Sequence, residues 1–201
     1  VQYAYDLDLQ VYTKSVDGTI IRSDTEELMQ EIVSEYMGMD MSAMSDMMNN
    51  SSSASLMGMS KMSAVLWQEL LPGKDGAPIN DLLKNQYDVI SGRWPDSYDE
   101  IVLVVDKNNE LDDVTLYALG LEPKETMEAV MKASMEGTGL EADLKSWSYE
   151  DMCGMKFRVI LNSDCYSYDS KSDTYVDMRE TEAGLQLLYN KGLELKVAGI
   201  I

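Results

Sequence analysis

The longest unbroken aliphatic run in the chain is Ile101-Val102-Leu103-Val104-Val105, bounded by Glu100 and Asp106. It has the length of a strand and falls far short of the ~20 apolar residues that cross a bilayer. Being β-branched and apolar on both faces, it reads as a buried strand that other elements must cover from two sides. That requirement sets the question for the rest of the chain: which segments supply neighbouring strands, and which supply the cover.

Strand signatures recur at both ends. Tyr3, Tyr5, Leu7, Leu9 and Val11 alternate with small or polar residues, a period of two that predicts a half-buried strand. The bend at Asp17-Gly18 follows, and Ile20-Ile21 begins a short second strand. In "GMKFRVIL" (154–161), Met155, Phe157, Val159 and Leu161 alternate with Lys156, Arg158 and Ile160. "CYSYDSKSDTYVDM" (165–178) reads as a hairpin with "DSKSD" as its turn, and "LELKVAGII" (193–201) as a closing strand.

Helical signatures fall between them. "SDTEELMQEIVSEYM" (23–37) opens with Ser23 or Asp24 as cap and Glu26 and Glu27 at the positive end of the dipole. Leu28, Met29, Ile32, Val33 and Tyr36 form its apolar stripe. A second helix is expected through "SKMSAVLWQELL" (60–71), stopped by Pro72 and Gly73. A short one follows, capped by Asn80. "DVTLYALGL" (113–121) is closed by Gly120, and "PKETMEAVMKASMEGTG" (123–139) has Pro123 at its start and Gly137 past its end. "ETEAGLQLLYNKG" (180–192) is closed by Gly192. Strands and helices interspersed in this way give a mixed α/β (α+β) class: a multi-stranded sheet packed with helices. The chain reads as one domain, 1–201, with a helical, Met/Ser-rich insertion at about 23–88.

Charge and composition remove several functions. The net charge of -20 opposes nucleic-acid binding and docking on an anionic lipid surface, both of which need Lys and Arg. The absence of histidine removes the commonest general base and transition-metal ligand. Cys153 and Cys165 lack redox or zinc spacing, and whether they bridge is open. No Gly-rich phosphate loop is present, so no nucleotide-hydrolysing site is read in this chain. "DKNNELDD" (106–113) lacks the central glycine and terminal glutamate of a calcium loop and is taken as a turn.

Nine of the sixteen methionines lie in 37–62, with seven serines among them. Thioether sulfur is a soft Cu(I) ligand, and Met37, Met39, Met41 and Met44, or Met57, Met59 and Met62, have spacings that gather three sulfurs. Met also fills irregular packing and makes adaptable surfaces, and an adaptable helix-loop-helix is the favoured reading. The many carboxylates do not single out a catalytic pair. No catalytic, cofactor-binding or metal residue is therefore assigned, and the chain is not expected to be an enzyme. Trp67, Trp94 and Trp147 can stack on sugar rings or cover core.

Three stretches taken in order carry a resemblance. They are "ISGRWPDSYDEIVLVVD" (90–106), "TLYALGL" (115–121), and "GMKFRVIL" (154–161) paired with "LKVAGII" (195–201). The set resembles the extracytoplasmic, periplasmic-core domain of MacB/FtsX-like ABC-transporter permeases, over about the second half of the chain. The Met/Ser-rich insert, the Tyr-rich hairpin and the helix at 123–136 are similar to the long versions of Gram-positive gut anaerobes. Val1 in place of an initiating Met and the apolar finish at 195–201 read as the two ends of an excised domain.

The resemblance implies a non-enzymatic domain on the extracellular side of the cell membrane. It would couple ATP-driven motion to export or release of a peptide, lipid or lipoprotein-like substrate, or to a partner protein. Its partners would be an ABC ATPase and a second permease copy. Two alternatives stand beside it: a free-standing secreted or surface protein binding peptide or glycan, and a Met-rich Cu(I)-binding domain.

Overall fold

The computed structural model describes residues 10–24, 66–138 and 145–201. The predicted helix over 23–37, the Met/Ser-rich window 37–62 and most of the expected insertion lie outside the described residues, as do Tyr3, Tyr5, Leu7 and Leu9.

The mixed α/β class is as expected. The strands are β1 (Gln10–Lys14), β2 (Ile20–Arg22), β3 (Ser91–Gly92), β4 (Glu100–Leu103), β5 (Lys156–Ile160), β6 (Tyr166–Asp169), β7 (Thr174–Asp177) and β8 (Leu193–Ile200). The described α-helices are α1 (Asp81–Gln86), α2 (Asp113–Ala118), α3 (Lys124–Glu136), α4 (Tyr149–Cys153) and α5 (Glu182–Lys191).

The main sheet runs β2-β1-β5-β8, with antiparallel pairing throughout. β8 is long enough to serve three neighbours. Lys196 pairs with both Lys156 of β5 and Glu100 of β4, and Gly199 with both Gly92 of β3 and Val102 of β4. A strand has two edges, so β5 and β3 lie in tandem along one and β4 along the other. The β4–β8 pair is parallel, and its register slips between Ile101 and Val102 as a bulge.

Alternation along the strands sends side chains to two cores. On one face, Tyr12, Ile160, Cys165, Leu188 and Tyr189 pack together with Ile20 and Leu185, so α5 covers this side of β1 and β5. On the other face, Val11, Phe157, Leu195 and Val197 meet Trp67, Leu119 and Cys153. Phe157 is 0% exposed, and the Trp67 ring meets it edge-on at 5.3 Å between centroids. β1 is thus not half-buried, as its alternation predicts. Gln10, Val11, Tyr12 and Thr13 are all buried, because β1 is an inner strand covered on both faces.

Two further expectations change. The aliphatic run 101–105 is strand only to Leu103; β4 is half-buried throughout, and Val104 is 51% exposed. Its pairing is with β8 alone among the described strands, so it is an outer strand. The helix expected over 60–71 is absent from its described part, 66–71. There the Trp67 indole N–H donates to the Ser23 carbonyl at 2.8 Å, and the Asn80 N–H donates to the Leu71 carbonyl. These contacts tie the segment to Ser23 and Asn80.

The remaining helices start and stop where capping chemistry places them. Asn80, Asp112 and Thr181 accept from backbone N–H groups in the first turns of α1, α2 and α5. Gly120 and Gly137 follow α2 and α3 with positive φ. The hairpin β6–β7 forms a separate two-stranded sheet, with the register Tyr168↔Tyr175. Asp106 Oδ1 accepts from the N–H groups of Asn108 and Glu110, so the 106–113 segment begins as a side-chain-locked turn.

Candidate functional site

The stretches that carry the family resemblance converge on β8. The "SG" of 91–92 is β3, "EIVL" is β4, "KFRVI" is β5, and "LKVAGI" is most of β8 itself. "TLYALG" forms α2 and its end; the Ala118 carbonyl there accepts from the buried Ser23 hydroxyl at 2.7 Å. Separate in sequence, these pieces build one junction.

Two glycines form its centre. Gly92 and Gly199 are cross-strand partners. A Cβ on Gly92 would lie 2.8 Å from the Gly199 Cα and would overlap the Ala198 carbonyl; one on Gly199 would lie 2.8 Å from the Arg93 nitrogen. Gly92 also has φ of +72°, a conformation that other L-residues rarely take. The backbones of β3 and β8 therefore touch where side chains would otherwise stand.

From this contact the chain leaves as Arg93-Trp94-Pro95 and returns as Glu100. Arg93 closes the loop with a two-pronged ion pair: Nη2 to Glu100 Oε1 at 2.6 Å and Nη1 to Oε2 at 2.9 Å. The same Oε2 accepts from the Asp96 N–H at 3.0 Å, and Arg93 Nη1 also donates to the Trp94 carbonyl. The Arg93 fork, followed by the Asp96 N–H, holds the Glu100 carboxyl down to about 2, and the same pairing raises the Arg93 guanidinium. Glu100 thus stands at the strand entrance, as its sequence position predicts. Pro95 is buried, and Trp94 is half-buried beside it.

The loop opens onto a charged strip of the sheet. Opposed residues in register share a face, so Lys156, Lys196 and Glu100 stand side by side, with Arg158 and Glu194 in the next row. Lys196 bonds Asp99 at 3.2 Å, and Arg158 bonds Glu194 at 2.6 Å with Lys156 at 3.6 Å from the same carboxylate. Asp99 is held low, first by the Ser97 hydroxyl and then by Lys196, which is itself raised. Arg93, Glu100, Lys156, Glu194 and Lys196 line a shallow depression of about 460 Å³. Each cation of the strip has a carboxylate beside it, with Glu194 shared between Lys156 and Arg158.

A larger cleft, about 1130 Å³, lies between α2, α3, α4 and the ends of β4 and β8. Leu116, Met127, Val130, Trp147 and Met152 line it. At its rim the buried Glu122 takes both oxygens to Lys145 Nζ at 2.8 Å. Nothing in the sequence pattern links these two residues, which come from separate segments.

Of the three tryptophans, Trp67 is committed to the core by its ring contact and by hydrogen bonds to Ser23. The Cu(I) candidates Met37 to Met62 lie outside the described residues. Among the described residues no group of three His, Cys, Asp or Glu could hold a metal ion. Cys153 and Cys165 are both free thiols and belong to opposite faces of the sheet. Burial pushes the Cys165 thiol up.

Among the described residues no helix is long and apolar enough to cross a membrane. No family model matches this chain, no curated protein matches its sequence, and no solved structure matches it.

Proposed function

We propose that this chain is an extracytoplasmic domain of a MacB/FtsX-like ABC-transporter permease. The observation that supports the reading is the junction on β8. The residues that carry the resemblance (Gly92, Arg93, Glu100, Phe157 and Gly199) build one continuous unit through direct pairing, the Arg93–Glu100 fork and core packing.

On this reading the domain has no chemistry of its own. It passes ATP-driven motion from an ABC ATPase to a substrate or partner outside the membrane and works beside a second permease copy. A substrate acts on such a device only by binding its two states unequally. The charged strip offers a surface for relative movement, since paired charges re-pair across a shifted interface.

The test is the complete open reading frame. Apolar spans of about 20 residues are expected on both sides of this segment. A secretion or lipoprotein signal upstream with no span downstream would instead make it a free-standing binding protein.

A further inference from the structure

The β6–β7 hairpin stands apart from the main sheet and leaves an aromatic face open. Tyr166 and Tyr168 are two residues apart and share a face; Tyr175 lies opposite Tyr168, and Asp177 opposite Tyr166. Tyr168 and Tyr175 are 54% and 73% exposed, and their rings meet at 5.4 Å.

The two rungs of this ladder carry the same kinds of group. At the inner rung the chain supplies its own cation: the Arg179 guanidinium lies 5.5 Å from the Tyr166 ring centroid, donates to its hydroxyl at 3.1 Å, and is gripped by Asp177. At the outer rung the tyrosine pair stands beside Asp173, which accepts from the Tyr168 hydroxyl at 2.7 Å. Among the described residues, no basic side chain lies over either outer ring. Charge points the same way. From Asp164 to Glu182 there are six carboxylates (164, 169, 173, 177, 180 and 182) against Lys171 and Arg179.

We infer that the outer rung, Tyr168 and Tyr175 with Asp173, docks an arginine- or lysine-bearing segment of a partner protein. The partner's cation lies over the tyrosine faces as Arg179 lies over Tyr166. The inference does not rest on the permease reading, since it uses only the hairpin.

The test is fluorescence anisotropy with a labelled decapeptide of alternating arginine and serine, titrated with the whole chain at physiological ionic strength. Saturable binding is expected, and Y168T/Y175T, which keeps strand-forming residues and net charge, weakens it about tenfold. Y168F/Y175F keeps the aromatic faces and retains binding. E125Q/E150Q removes charge elsewhere and leaves the affinity within about twofold. A peptide with citrulline for arginine does not bind. The inference is overturned if the threonine variant binds as tightly as the parent chain. It is equally overturned if the peptide does not bind, including the case where a chito-oligosaccharide binds in its place.

Discussion

Gly92 shows how much one residue can fix. Its φ of +72° and the missing Cβ against Gly199 are separate demands, and alanine meets neither. Gly92→Ala is expected to lower stability by about 2–4 kcal/mol, from backbone strain plus overlap. Gly76 has a similar φ of +82° but open space around it, so Gly76→Ala should cost only the strain, about 1–2 kcal/mol. Urea unfolding of the two variants measures the difference; equal losses would mean that β3 and β8 do not meet closely.

Glu100 makes a prediction in pH. Its carboxyl falls from an ordinary 4.5 to about 2 in the folded chain. A depressed acid stabilises fully above its unfolded pKa and loses that contribution as the pH falls through the folded one. The stability gap between the parent chain and Glu100→Gln should therefore be constant above pH 4.5 and close towards pH 2. Denaturation midpoints across that range check it, and a gap independent of pH would contradict the Arg93–Glu100 fork. Sequence placed Glu100 at a strand entrance. It gave no sign of Arg93 as its partner, because two residues joined across an irregular loop leave no periodic trace.

At the scale of elements, caps and glycines were the legible signals. Asn80, Gly120, Gly137 and Gly192 mark helix ends where the structure has them. Asp112 caps α2, whose Leu116, Tyr117 and Ala118 are buried. Asp112→Ala should destabilise the chain by about 1 kcal/mol, read as a shift in thermal midpoint. No shift would mean that the cap is satisfied by another acceptor.

Other elements were hidden for physical reasons. β3 is two residues long and contains a glycine, so it carries no alternation. α4 is too short to show a helical period, although Ser148 and Asp151 form the capping pattern that announces it. The helix expected over 60–71 is absent from its described part, where Trp67 serves the core instead. The aliphatic run 101–105 reads as a strand buried on both faces because composition reports β propensity and not position. Only the pairing itself, with β8 alone among the described strands, places β4 at the edge.

For the molecule as a whole, the class was legible because strand and helix patterns alternate along the chain. The topology was not. Nothing in the order of segments says that β8 serves β3, β4 and β5 at once, or that β4 joins it in parallel. That arrangement depends on the Gly92–Gly199 contact and on a bulge, and both are tertiary facts. The cleft with Glu122 and Lys145 belongs to the same category, built by residues from distant segments.

The central claim is that this domain stands outside the cytoplasmic membrane as part of a larger permease. Tyr98, 86% exposed in the loop closed by Arg93 and Glu100, offers a direct reporter. The full-length protein carrying Tyr98→Cys should react in intact cells with a membrane-impermeant thiol reagent, above the signal of the parent protein with its buried Cys165 and half-buried Cys153. Labelling in intact cells is the predicted result. Labelling only after lysis would place the domain inside the cell and contradict the account.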